Sequence, residues 1–196
     1  FILSKVDNNS QDFIIANHVL EHSPNPIQTL MNWEQKLKPD GILFISIPSA
    51  EKSFDRGREI TSIEHILQDQ QIYKDYDTQQ IIEETKKHLI ECIAISDENE
   101  RVDKGFKPLN RSEEEVHQEV AKRIQPLLQA LNKDKLTLTE GIVNIHYHTF
   151  TWDSFQKLLH YLIYNVFNDL EILELRENIF EIIVILKVNK VIKQSG

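Results

Sequence analysis

His18, Glu21 and His22 place two imidazoles and a carboxylate in one short word, H-x-x-E-H. Side chains of these kinds hold divalent metals and move protons near neutral pH. By itself the word matches a zinc-peptidase motif in which two histidines on one helix face bind the ion. Pro24 and Pro26 follow at once, so no long helix is available to align both rings, and that reading is set aside. For Glu21 and His22 the plain alternative to a metal is hydrogen bonding within the loop. For His18 it is an imidazole bonded to backbone. Further along, His146 and His148 alternate with Tyr147; on a strand they share one face, and each ring then needs polar partners. They are candidates for contact with a substrate or an anion. Asp55, Arg58 and His65 form a third group, in which Arg58 could grip a carboxylate or phosphate, or simply sit in a surface ion pair.

The elements that must position these residues are legible around them. Phe13-Ile14-Ile15-Ala16 is too short for a helix and rich in β-formers, so it reads as a strand buried on both faces that ends at Asn17-His18. Asn25 is placed to cap a helix whose apolar stripe is Ile27, Leu30, Met31, Trp33 and Leu37, with Lys36 and Lys38 in its last turn. Pro39-Asp40-Gly41 stops that helix, and Ile42 to Ile47 is a second apolar strand ending at Pro48-Ser49. Strand, helix and strand at this spacing make a right-handed crossover with parallel strands, and ligands sit beyond the carboxyl ends of such strands. Asn17, His18 and Ser49 fall there. Ser62 caps a helix from Ile63 to about Tyr76; 77–94 has helical spacing; 96–110 is polar, with Gly105 and Pro108, and reads as a loop. Ser112 opens a capping box with Glu115 ahead of a helix kinked near Pro126. Val143 to Thr149 alternates like a strand, Thr151 caps a helix, and Leu170–Leu175 and Phe180–Val188 make a terminal antiparallel hairpin turning at Asn178.

Composition narrows the classes. The chain has 196 residues and a net charge of -9, which removes nucleic acid as a default partner. Its single cysteine, Cys92, excludes an internal disulfide and a cysteine-rich zinc site, so a reducing, cytoplasmic compartment is the simplest expectation. No apolar run approaches the roughly 20 residues of a membrane span. Phe1 stands where an initiator Met is expected, which suggests that the chain begins inside a longer protein.

Two phrases, DFIIANHVLEH and LKPDGILFISIP, resemble the second half of a class I S-adenosylmethionine-dependent methyltransferase. The first resembles the fourth strand and its loop. The second resembles the L-K/R-P-G-G word before the fifth strand, with Asp40 in place of the first Gly. FDRGREITSIEHIL resembles a segment that follows in a bacterial subgroup of the same family. The implied fold is α/β: a partial Rossmann-like sheet of parallel strands plus a C-terminal antiparallel hairpin, with a helical insertion. Residues 1–196 would be one domain, the C-terminal part of a methyltransferase domain, and 50–140 a mostly helical cover over the substrate site. No G-x-G occurs, so the Gly-rich donor loop of the family is missing from the chain.

The resemblance implies S-adenosylmethionine as cofactor, with Asn17 and His18 beside its methionine part and Asp7 in a loop near the adenine. It makes His18 a general base toward a hydroxyl or amine that attacks the methyl. It makes Asp55, Arg58, His65, His146 and His148 candidates for holding a small-molecule acceptor, a sugar or other hydroxylated compound. Some RNA-end and quinone methyltransferases carry E-x-x-E-H at the first loop and bind a divalent ion there. This chain matches at Glu21 and His22 and departs at His18, with His146 or His148 as a further ligand. Without a Gly-rich loop, this portion alone is expected to be inactive. A non-catalytic interaction module that pairs through an exposed sheet edge is the alternative, and a metal-binding protein through His18, Glu21 and His22 is another.

Overall fold

The two apolar runs pair as parallel neighbours in the computed structural model, which describes residues 5–132 and 143–190. β1 (Gln11–Asn17) and β2 (Leu37–Pro48) are in register from Phe13 opposite Ile42 to Asn17 opposite Ser46. The crossover helix α1 (Pro26–Lys36) starts where the Gln28 N–H donates to Asn25 Oδ1 at 3.0 Å, and it buries Ile27, Leu30 and Trp33. It ends at Lys36, two residues sooner than the sequence suggests. Leu37 is already extended, so Lys38 lies in β2, where its Nζ meets Asp12 at 2.8 Å. Pro39-Asp40-Gly41 is therefore a strand irregularity next to a register shift rather than a helix stop.

Downstream of β2 the chain forms α2 (Ile63–Asp75) and α3 (Thr78–Glu91), a π turn over Cys92–Ser96, α4 (Asp97–Asp103), α5 (Glu113–Arg123) and α6 (Gln125–Leu131). α7 (Trp152–Asn165) then leads to the hairpin β3 (Leu170–Glu177) and β4 (Glu181–Val188). The Phe180 and Glu181 N–H groups both donate to Asn178 Oδ1 at 2.9 Å and close the hairpin turn. Sheet order is β1-β2-β4-β3, with β4 antiparallel to both neighbours. A parallel pair extended by a terminal antiparallel hairpin is the partial Rossmann-like arrangement expected.

One sheet face carries Ala16, Leu43, Ile45, Ile47, Ile182, Val184 and Leu186, packed beneath α1 and the Phe155, Leu158, Leu159 and Leu162 side of α7. Each such aliphatic side chain contributes about 1.5–3 kcal/mol by leaving water. The other face differs from expectation. Phe13 and Ile15 are 64% and 61% exposed, so β1 is covered on one side only among the described residues.

The helical region has its own core of Ile72, Ile81, Leu89, Ile93, Val116, Val120, Ile124 and Leu127, joined by Val143, Ile145 and Tyr147. Two elements here depart from the sequence reading. The helix continues through 97–103 where a loop is expected, because Asp97 and Glu98 reach across to Arg123 and Arg111. A helix polar all round is held by such pairs rather than by an apolar stripe. Conversely, 143–149 forms no strand. It runs between the helical core and the sheet, bonded through the Tyr147 N–H to the Glu21 carbonyl and through the Thr149 carbonyl to the Thr61 N–H, and it buries His146 and His148 in different surroundings. The range 50–140 taken as the cover ends at residues outside those described.

Candidate metal centre at the sheet rim

β1 ends by turning sharply. His18 adopts a left-handed φ of 51° while its N–H still donates to the Ser46 carbonyl at 2.9 Å, which holds the turn against β2. Beside it, Ser46 Oγ donates to Asn17 Oδ1 at 3.4 Å. The His18 ring is 44% exposed; its Nε2 lies 2.7 Å from Glu181 Oε1 at the start of β4, and its Nδ1 lies 3.8 Å from Glu21 Oε1. A short turn over Leu20–His22 then tucks Glu21 inward, where its carbonyl accepts the Tyr147 N–H at 2.8 Å.

Glu21 is buried and, among the described residues, both its carboxylate oxygens lack hydrogen-bond partners. Burial pushes its carboxyl above the usual range, opposed by backbone hydrogen bonding and by the nearby His146 and His18. Two imidazoles flank it. His22 Nδ1 lies 2.9 Å from the Ile145 carbonyl, and His146 Nδ1 is bonded to Asp55 Oδ2. Each ring thus has Nε2 left over. One ligand atom each from Glu21, His22 and His146 lies within 4.8 Å of the others, and the rings of His22 and His146 meet edge to face at 4.6 Å. Imidazoles whose second nitrogen is anchored to a carbonyl or carboxylate are the usual supports of a metal ion, because the anchor fixes tautomer and aim. The residues present therefore fit a divalent cation, with His18 Nδ1 at the edge of the site, outside the set of three.

Residues 4–87 match a family model described as a methyltransferase domain. This stretch is of methyltransferase type. No curated protein and no solved structure matches the chain.

The methyltransferase-type stretch runs from before β1 into α3. It contains Asn17, His18, Glu21, His22, Asp55, Arg58 and His65, whereas His146 and His148 lie beyond it. Asp55 and Arg58 turn out to form an internal clasp. Arg58 Nη1 donates to Asp55 Oδ1 at 3.1 Å and to the His146 carbonyl at 2.9 Å, while its Nε and Nη2 reach Glu91 Oε2 at 3.4 and 3.3 Å. Ser96 Oγ also donates to Asp55 Oδ1. Burial would raise the Asp55 carboxyl, but His146, Ser96 and Arg58 outweigh it and hold the group below its usual range. With every guanidinium nitrogen engaged and the side chain buried, Arg58 is neither a free anion grip nor a surface ion pair.

His146 and His148 do not act as a same-face pair. His146 joins Glu21, His22 and Asp55, while His148 turns toward His65, Asp69 and His88. Asp7 precedes the amino end of β1, a strand length of about 20 Å from Asn17, and its carbonyl accepts the Ser10 hydroxyl. The structure does not bring it to the rim. Sequence reasoning missed Glu91, Ser96 and Glu181, which reach the site only through tertiary packing. A cavity of about 480 Å³ opens beside the centre, lined by His22, His146, Phe54 and the guanidinium-bearing Arg101, Arg111 and Arg123. No helix among the described residues is long and apolar enough to cross a membrane.

Proposed function

We propose that the chain forms the acceptor side of an S-adenosylmethionine-dependent methyltransferase whose acceptor is a small hydroxylated molecule, of which a sugar is one example. The observation that carries this reading is Glu21: a buried carboxylate without a hydrogen-bond partner among the described residues, set between two imidazoles that each offer a second nitrogen. Glu21, His22 and His146 would hold a divalent ion. A mixed imidazole and carboxylate set favours manganese, iron or zinc over magnesium. Such an ion, when bound, supplies a Lewis acid that makes a hydroxyl more acidic.

His18 is the proposed base. With Nε2–H donated to Glu181, Nδ1 is the nitrogen that can take a proton from the acceptor. Glu181 then acts as a positioning residue. The neighbouring cavity has room for a small acceptor, and its mixed lining of arginines with Asp97 and Glu100 suits one with hydroxyl groups.

The described residues alone do not fit the methyl donor. The turns after β1 and β2, Asn17-His18-Val19 and Pro48-Ser49-Ala50, contain no glycine to let backbone close around a nucleoside. The test is labelled-methyl transfer by the full reading frame that encodes this chain, offered hydroxylated small molecules with and without manganese. Transfer that needs the metal, and that drops at least tenfold in Glu21→Gln and His18→Gln, is the expected result. Transfer indifferent to metal and to both substitutions overturns it. A second reading, a non-catalytic interaction module, is favoured by the bare apolar side of β1, Phe13 and Ile15.

A further inference from the structure

A second cluster lies away from the sheet rim, in the helical layer. His65 and Asp69 are one turn apart on α2 and share a face; His88 comes from α3, and His148 from the extended 143–149 stretch. His65 Nε2 is 3.3 Å from His88 Nε2 and 3.3 Å from Asp69 Oδ2, and His148 Nε2 is 3.6 Å from that same carboxylate oxygen. The three imidazole rings are mutually 5.1, 5.7 and 5.6 Å apart, each pair steeply inclined. Donor atoms about 2.0–2.1 Å from a tetrahedral zinc are themselves about 3.3 Å apart. One donor atom each from His65, Asp69 and His88 lies within 4.8 Å of the others, close to such a shell, and His148 Nε2 approaches it from the Asp69 side.

The burial makes the arrangement hard to explain otherwise. His148 is fully enclosed and, among the described residues, neither of its ring nitrogens has a hydrogen-bond partner; Asp69 is likewise buried, with Oδ2 unpartnered among them. Buried polar groups in native folds are satisfied by protein, by water or by an ion. Here Asp69 Oδ2 and His148 Nε2 converge, and one cation between them would satisfy both.

We propose that His65, Asp69, His88 and His148 form a structural site for a zinc-class ion, separate from the centre at Glu21, His22 and His146. Three nitrogens and one oxygen suit zinc rather than magnesium or calcium, which take oxygen shells. Four protein ligands leave no position for water or substrate, which marks the site as structural. Its ligands come from three segments, so the ion would tie α2, α3 and the 143–149 stretch together. Through that stretch it would also steady His146 in the other centre. Two of the four ligands lie beyond residues 4–87, so the site does not follow from the methyltransferase-type match.

Cobalt titration of metal-stripped His22→Ala protein tests this, because that change disables the rim centre. The expected result is one equivalent of cobalt with the intense visible absorption of a four-coordinate ion, displaced by zinc. Adding His65→Gln, at a half-exposed position, should weaken binding at least tenfold, and adding His88→Ala should abolish it. Far-UV circular dichroism checks that each variant is folded. Zinc should raise the Tm of His22→Ala protein and leave that of His22→Ala/His65→Gln nearly unmoved. No cobalt bound by folded His22→Ala protein, a weak six-coordinate spectrum, or binding unaffected by His65→Gln overturns the proposal. Failure of the rim centre alone reads differently: wild type and His22→Ala would then bind the same single equivalent.

Discussion

Arg58 shows how a residue's chemistry is decided by what surrounds it. In sequence it is a loop arginine between charged neighbours; in the fold it bonds Asp55, Glu91 and the His146 carbonyl from a buried position. Removing one member of a buried charged pair costs about 3–5 kcal/mol, largely because the other charge is left uncompensated. Arg58→Met should therefore lower unfolding free energy by about 3 kcal/mol in urea titration. Asp55 keeps His146 and Ser96 as partners, which places the loss at the low end of that range. Arg58→Met combined with Asp55→Asn should cost clearly less than the two single losses added together. Additive losses, or a single loss under 1 kcal/mol, would show that the clasp is not a coupled unit. The same clasp bears on function, since Asp55 anchors the Nδ1 of His146 and so aims the nitrogen offered to the rim centre.

At the scale of elements, the Lys38-Pro39-Asp40-Gly41 segment separates two requirements that a glycine pair would merge. The left-handed backbone falls on Asp40, with φ of 63°, a conformation that aspartate tolerates better than most residues. Gly41 is required for closeness instead: a Cβ there would lie 2.8 Å from the Lys38 carbonyl oxygen, a backbone atom that cannot swing aside. Gly41→Ala should cost about 1–3 kcal/mol by overpacking. Asp40→Gly should stay within about 1 kcal/mol, losing an exposed ion pair to Lys187 while relieving the backbone. Equal effects in thermal melts would contradict this division. The comparison also marks what was legible. The caps at Asn25, Ser62, Ser112 and Thr151 all form as read, because a capping hydrogen bond is local. So do the crossover and the terminal hairpin, which follow from short-range apolar runs. The 97–103 helix and the irregular 143–149 stretch were misread because long-range ion pairs and burial between two cores decide them, and neither leaves a periodic signal. At the site, Glu21-His22 was visible as a word, and His146 only as an alternative to His148 for a further candidate ligand. Glu181, Glu91 and the convergence of His88 on His65 were not, since each depends on elements far apart in the chain.

The whole molecule is asymmetric about its sheet. One face is sealed under α1 and α7, while the other presents Phe13 and Ile15 on β1, with Ile42 and Phe44 half-buried behind them on β2. Contiguous exposed aromatic and aliphatic side chains on an edge strand mark a surface that a monomer gains by covering. Residues whose contacts lie inside the described fold should therefore respond to substitution quite differently from those on this face. Ile15 and Ile45 form the contrast, being chemically identical, on adjacent strands and on opposite faces. Ile45→Thr, at 1% exposure, removes buried carbon and introduces a hydroxyl, and should cost at least about 2 kcal/mol in urea unfolding. Ile15→Thr should change stability by no more than about 0.5 kcal/mol in this chain, and should reduce self-association in sedimentation measurements by making the edge more polar. If Ile15→Thr instead costs as much as Ile45→Thr, that face is already packed against something within the chain. The interaction reading would then lose the surface it depends on, while the rim centre, which draws only on the carboxyl end of β1 and the helical layer, would be untouched.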